Sequence, residues 1–138
     1  MTALHRGAYE QDVVAVETLV AIGADMHARR VGTGSTPIMF ASSAGCDVKI
    51  LDCLVAAGAD PNSRDDDGST PLHSAAASGS VEHVRRLLAA GANPNVANVA
   101  GLSPLSLATT YLEQEQQSSL EPKWQVEGWQ GVVALLDK

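Results

Sequence analysis

Three stretches of the chain carry apolar residues at the same intervals. They are Val13, Val16, Leu19 and Val20, then Val48, Leu51, Leu54 and Val55, then Val81, Val84, Leu87 and Leu88. Steps of three, three and one residues align these side chains on one stripe, so each stretch predicts a helix buried along one face. Gly23, Gly58 and Gly91 follow the stripes and suit the left-handed turn that ends a helix. Upstream of each stripe lies a second pattern, an apolar anchor followed by two small residues. The anchors are Leu4, Ile38, Leu72 and Leu105, and the small pairs are Gly7-Ala8, Ala41-Ser42, Ala75-Ala76 and Ala108-Thr109. Thr2, Thr36, Thr70 and Ser103 are good N-caps for these stretches. Pro37, Pro71 and Pro104 stand at the first helical position, where no donor is lost. The pattern predicts pairs of helices, with Gly45 and Gly79 ending the first helix of two units.

The units form a repeat. Thr36-Pro37, Thr70-Pro71 and Ser103-Pro104 recur at separations of 34 and 33 residues, and Gly23-Ala24-Asp25, Gly58-Ala59-Asp60 and Gly91-Ala92-Asn93 at 35 and 33. One residue is inserted near Gly32-Thr33-Gly34 and another near Cys46. Leu135-Leu136 fall about fifteen residues later than the register of Leu87-Leu88, so Leu112 to Gly128 holds a long insertion. The whole chain, 1–138, reads as one domain with units at about 2–35, 36–69, 70–102 and 103–138, the insertion spanning about 112–128.

Thr70-Pro71-Leu72-His73, Ala75-Ala76, Gly79, Leu87-Leu88 and Gly91-Ala92-Asn93-x-Asn95 carry a resemblance to the ankyrin repeat family. The second unit keeps Thr36-Pro37-Ile38 and Gly58-Ala59-Asp60-x-Asn62, while Ala3, Met39 and Ser106 depart from the pattern. The resemblance covers residues 2–111, and 129–136 return to register. It implies an all-α, ankyrin-type helix-turn-helix solenoid with protruding finger loops. It further implies that His5 and His73 hydrogen-bond the Thr-Pro turn, and that Asn62 and Asn95 match asparagines that hydroxylases modify in such repeats.

Composition narrows the class. Apolar residues make up 45% of the chain but aromatics only 4%, and alanine fills 21 positions, as thin, closely stacked helices require. The net charge is −7, which argues against a nucleic-acid partner and against docking on anionic membranes. No apolar run is long enough to insert in a membrane. Cys46 and Cys53 are too few for a disulfide scaffold and point to a reducing compartment, cytoplasmic or nuclear.

Candidate chemistry mostly fails its tests. Ser63-x-Asp65-x-Asp67-Gly68 opens like a calcium loop, but its twelfth position is Ser74, without a bidentate carboxylate. Gly32-Thr33-Gly34 is no phosphate loop, because Pro37 stands where a third glycine is needed. Cys46 and Cys53 read as small, partly buried fillers, and His83 as an exposed residue on the polar side of its helix. No catalytic set, metal site or cofactor site can be assembled.

What remains is a surface. In a solenoid the loops and first helices form an extended concave face, where the resemblance places a protein partner. The three fingers differ: Arg29 and Arg30 in the first, Arg64, Asp66 and Asp67 in the second, and uncharged Val99 and Leu102 in the third. Tyr9 and Tyr111 stand on the adjoining helices. This arrangement predicts a graded groove, cationic, then acidic, then apolar, on a non-catalytic binding module that is monomeric when alone. An accessory, substrate-targeting part of an enzyme is the alternative, and stand-alone catalysis the weakest reading. The insertion reads either as a C-terminal cap or as an added docking surface. It holds Glu113 to Gln117 as a helix extension, Pro122 as a stop and Trp124 near its end, while Trp129 falls on the Val81 column and points into the stack. Arg6 suits a polar capping unit, unless the chain is a piece of a longer protein.

Overall fold

The computed structural model describes residues 1–43, 45–117 and 124–137. Among these residues the secondary structure is helical, without a strand. The helices pair in order: α1 (Ala3–Tyr9) with α2 (Val13–Ala21), α3 (Pro37–Phe40) with α4 (Val48–Ala56), α5 (Pro71–Ser78) with α6 (Val81–Ala89), and α7 (Pro104–Gln117) with α8 (Trp124–Leu136). The first helices pack in the sequence α1, α3, α5, α7, and the second helices in the sequence α2, α4, α6, α8. Two layers result, each a row of helices about one repeat apart.

One continuous core runs between the layers. Leu4, Ile38 and Leu72 from the first helices meet Val16, Leu51, Val84 and Val132 from the second, all fully buried. The small columns do what their size allows, since Ala8, Ala41, Ala75 and Ala108 are buried where neighbouring first helices approach closely. Thr2 caps α1 as expected, its side chain accepting from the His5 amide, and Thr36 and Thr70 stand at the expected N-cap positions, although Thr36 makes no side-chain bond to its helix. Asp12, Asp47 and Ser80, which the sequence pattern did not single out, cap the second helices.

Gly79 ends α5 in the left-handed region at φ 71°, as the pattern predicts. Gly45 does not play that part. α3 stops at Phe40 with Ala41 as its C-cap, and Gly45 is not among the positive-φ glycines. The Ser42 hydroxyl donates to the Ile38 carbonyl at 2.6 Å, a back-bond that competes with helix continuation. At the corresponding place after α1 stands Gln11, with φ 60°. A side chain in this region costs about 1–2 kcal/mol, and glycine is nearly free of that cost. Gln11→Gly is therefore expected to stabilise the protein by about 1 kcal/mol, raising the melting temperature by about 4 °C in a circular-dichroism melt. An unchanged or lower melting temperature would show that the Gln11 side chain contributes something its exposure does not suggest.

His83 corrects the sequence reading. It is not exposed: its relative accessibility is 2%, and its Nδ1 meets the Ser80 hydroxyl at 2.5 Å. Its column is that of Ile50, which is fully buried one repeat earlier. Burial pushes its pKa below the ordinary histidine value. The Cys46 backbone faces the ring, but Nε2 makes no hydrogen bond of normal geometry. The cysteines behave as expected, with Cys46 buried, Cys53 half-buried and both thiols pushed up by burial. That shift disfavours the reactive thiolate.

At the C-terminal end, α7 continues through Glu113 to Gln117, longer than the other first helices. Pro122 lies outside the described residues, as does the middle of the 112–128 insertion, and the Trp124 side chain is not described. Trp129 is buried as its column predicts. Its Nε1 donates to the Ala77 carbonyl at 3.2 Å, and its ring stacks on Tyr111 at 5.7 Å between centroids.

Candidate interaction surface

Each finger closes on itself by the same backbone bond. The amides of Arg30, Asp65 and Asn98 donate to the carbonyls of Ser35, Ser69 and Leu102. In the second and third fingers a side chain holds the turn as well. Asp65 Oδ1 accepts from the Asp67 and Ser69 amides, and Asn98 Oδ1 from the Ala100 and Leu102 amides. This use of the Asp65 carboxylate accounts for the calcium-like run as a turn. Arg30 occupies the same column in the first finger and cannot cap in this way. There the extra residue of Gly32-Thr33-Gly34 is taken up by the Thr33 and Gly34 amides donating to the Arg30 carbonyl.

The fingers are also tied to one another. The Asp66 amide donates to the Thr33 carbonyl, and the Val99 amide to the Asp67 carbonyl, both at 2.9 Å. Arg29 reaches across to the Arg64 carbonyl and pairs with Asp66 at 3.1 Å. Arg64 reaches on to the Ala97 carbonyl at 2.8 Å while its Nε donates to Gly68. His5 and His73 anchor the fingers from below. Nε2 of each lies 2.8 Å from a finger carbonyl, Ser35 and Leu102 respectively, while Nδ1 faces the capping threonine.

These contacts alter the expected grading. Arg29, Arg64 and Asp66 are not three free charges offered to a partner, because each is engaged within the finger ladder. Arg29 and Asp66 neutralise one another, though both stay about half-exposed. Arg30 and Asp67 remain exposed at the tips. In the third finger Val99 stands 77% exposed on a backbone held by Asp67, and Leu102 is half-buried. Tyr9 is exposed and meets Phe40 edge-on at 6.2 Å, whereas Tyr111 has one face covered by Trp129. Asn62 Nδ2 donates to the Gly91 carbonyl and Oδ1 accepts from the Asn93 amide, so Asn62 bridges two repeats. Asn95 is exposed.

Phe40 escaped the sequence reading. Because α3 ends early, a notch of about 260 Å³ opens beside it, lined by Tyr9, Gln11, Phe40, Ser43 and Cys46 among others. The longer spacing from Gly45 to Gly58 was the available signal, since it marked unit two as irregular where the helix stops. Among the described residues no cluster of histidine, cysteine and carboxylate could hold a metal ion. Nor is any helix there long and apolar enough to cross a membrane.

Comparison with known proteins agrees with this architecture. The chain is 45% identical over 75 residues to Protein PhlB of Serratia liquefaciens, covering 54% of this chain and 33% of that protein. It is 38% identical over 77 residues to the inactive serine/threonine-protein kinase TEX14 of Mus musculus, covering 56% of this chain and 5% of the other. It is 33% identical over 81 residues to the palmitoyltransferase AKR1 of Kluyveromyces lactis, covering 59% and 11%. The chain thus spans a third or less of the length of these relatives. The family model described as ankyrin repeats, in three copies, matches residues 4–98 and again 38–115. Ankyrin repeats are generally protein-interaction modules and typically non-catalytic. With that match over most of the chain, and with the paired helices, the Thr-Pro helix starts and the laddered fingers seen here, the protein belongs to the ankyrin repeat family.

Proposed function

We infer that the concave face binds a partner protein without catalysis, as a scaffold, adaptor or inhibitor. The observation that carries this is Val99. A β-branched apolar side chain at a fingertip, mostly exposed and on a backbone fixed to the neighbouring finger, loses little entropy on binding. Tyr9, Arg30, Asp67, Leu102 and Tyr111 extend the surface, and the Arg29–Asp66 pair and Arg64 hold its shape. α7 and α8 act as a fourth unit of the 1–138 domain, with 112–128 as its insertion. The setting is cytoplasmic or nuclear, and Asn62 and Asn95 are hydroxylation candidates. A gain of one oxygen per site in intact mass, after co-expression with an asparaginyl hydroxylase, would test the last point.

An accessory or substrate-targeting role within an enzyme is the second reading, favoured by similarity to a protein named as a palmitoyltransferase. The concave face serves either role. Affinity capture from the native cell with Val99→Asp tests the face directly, and the expected result is about a tenfold or greater loss of the captured partner. Undiminished capture by Val99→Asp, and by a triple replacement of Val99, Leu102 and Tyr111, would overturn the assignment.

A further inference from the structure

We propose that a pocket between the first two fingers and the helices α3 and α5 takes a basic side chain, lysine or arginine, of the bound protein. This rests on the concave-face reading and gives that partner its chemistry. The pocket has a volume of about 220 Å³ and is lined by Ser35, Met39, Phe40, Ser43, Asp65 and Ser74. Asp65 is the one charged residue among them. Arg29 and Arg64 line a different pocket, together with Asp60, and both are held within the finger ladder.

The charge at Asp65 exceeds what its turn needs. The Asp67 and Ser69 amides both donate to Oδ1, each at 2.9 Å. In the third finger Asn98 does the same work uncharged, its Oδ1 accepting from the Ala100 and Leu102 amides at 3.0 Å. An acceptor oxygen is all that the turn asks for. Asn98 also donates its Nδ2 to the Ser69 hydroxyl of the preceding finger at 3.4 Å. Asp65 has no such donor to offer Ser35, and among the described residues its Oδ2 is left without a hydrogen bond. The neighbouring acid, Asp66, takes Arg29 as its counter-ion. Asp65 is half-buried, so its charge is partly withdrawn from water with no cation in reach of the pocket. A cation brought by a partner supplies the missing charge, through a hydrogen bond stronger than a neutral one.

The remaining walls suit the stem of such a side chain. Met39 stands in the column of His5 and His73, whose rings reach the Ser35 and Leu102 carbonyls. A thioether has no N–H to give a finger carbonyl, and Met39 lines the pocket instead. Lysine and arginine lay their methylene stems along apolar surface while the charged head reaches polar groups. Met39 and Phe40 supply that surface, and Asp65 with the hydroxyls of Ser35, Ser43 and Ser74 supplies acceptors for the head. An acidic side chain would meet Asp65 as a like charge. An apolar one would cover the carboxylate without pairing it. The net charge of −7 also draws basic partners and holds acidic ones off.

An NMR titration of the isotope-labelled full chain at low ionic strength tests the pocket, with N-acetyl-lysine amide, N-acetyl-arginine amide and N-acetyl-norleucine amide as probes. Saturable shifts of the Ser35, Phe40, Ser43 and Ser74 amides are expected with a cationic probe and not with norleucine. The tighter of the two cationic probes identifies the side chain that fits. Asp65→Asn weakens this binding roughly tenfold or more. Its melting temperature stays within a few degrees of the native chain, because Asn98 already holds the same turn. Ser74→Lys, which brings the chain's own ammonium to the pocket and leaves the Asp65 turn alone, removes the shifts as well. No saturable shift with either cationic probe, or equal binding by Asp65→Asn, overturns the proposal. Val99→Asp, on the third finger, leaves the titration unchanged. Partner capture lost with Val99→Asp but kept with Asp65→Asn overturns the pocket and spares the concave face. Cation binding that persists while capture survives Val99→Asp does the reverse.

Discussion

Replacing His73 by alanine is expected to lower stability by about 3 kcal/mol, close to 10 °C in melting temperature. The ring is buried between the Thr70 cap and the third finger, accepting from the Thr70 amide at 3.0 Å and donating to the Leu102 carbonyl at 2.8 Å. Alanine would leave both backbone groups without that partner and open a void besides, and each unpaired buried group costs about 1–3 kcal/mol. Met39 holds the same column one repeat earlier, where Thr36 turns to the Ser63 hydroxyl instead. His73→Met should therefore fall between native and alanine, keeping volume but losing the bonds. A cost below about 1 kcal/mol for alanine would show that the ring does not tie the finger to the helix.

The same burial gives a pH dependence. His73 and His83 both have pKa values pushed below the ordinary 6.5, chiefly by desolvation. The unfolded chain then binds more protons than the folded one between the folded values and 6.5. Their contribution is fully present above 6.5 and is lost as the pH falls through that value toward the folded ones. Thermal melts from about pH 7.5 down to about pH 5 should show a declining melting temperature, with a shallower decline in a His83→Leu variant. A flat profile would mean that the rings accept protons in place.

Trp129→Ala is the second large effect, at about 3 kcal/mol or more, the usual cost of emptying a buried tryptophan site. Trp129 lies across Gly79, within 3.1 Å of where a Cβ would stand there, and joins α8 to both α5 and Tyr111. Gly128 makes the approach possible. A Cβ on it would sit 2.5 Å from the Gly79 carbonyl oxygen, which is backbone and cannot swing aside. Gly128→Ala should thus cost about 1–2 kcal/mol despite its better helix propensity, and shift tryptophan emission to longer wavelength. If Gly128→Ala stabilises the protein instead, α8 packs less closely than described.

The repeat, its helices and its caps were legible because they are local and periodic. A stripe needs only its own helix, and a Thr-Pro cap only its own turn. The failures are equally specific. Ile50 carried the signal that the His83 position is buried, but a histidine beside Glu82 looked polar until the columns of different repeats were compared. Gly45 looked like a helix stop, yet Ser42 had already ended α3. For Arg29 and Asp66, residues 37 apart in the chain, no local pattern announces a pair.

By itself, therefore, the sequence determined the helix pairs, their order and the buried stripes, since each rests on short-range hydrogen bonding and a repeated period. Tertiary structure decided which charges neutralise each other across fingers and which histidines lose water. Those outcomes depend on how one repeat lies against the next, and stacking brings together groups that are far apart in the chain. The physical cost of leaving a charge, a polar ring or an apolar stripe unpartnered is settled only when those neighbours are in place.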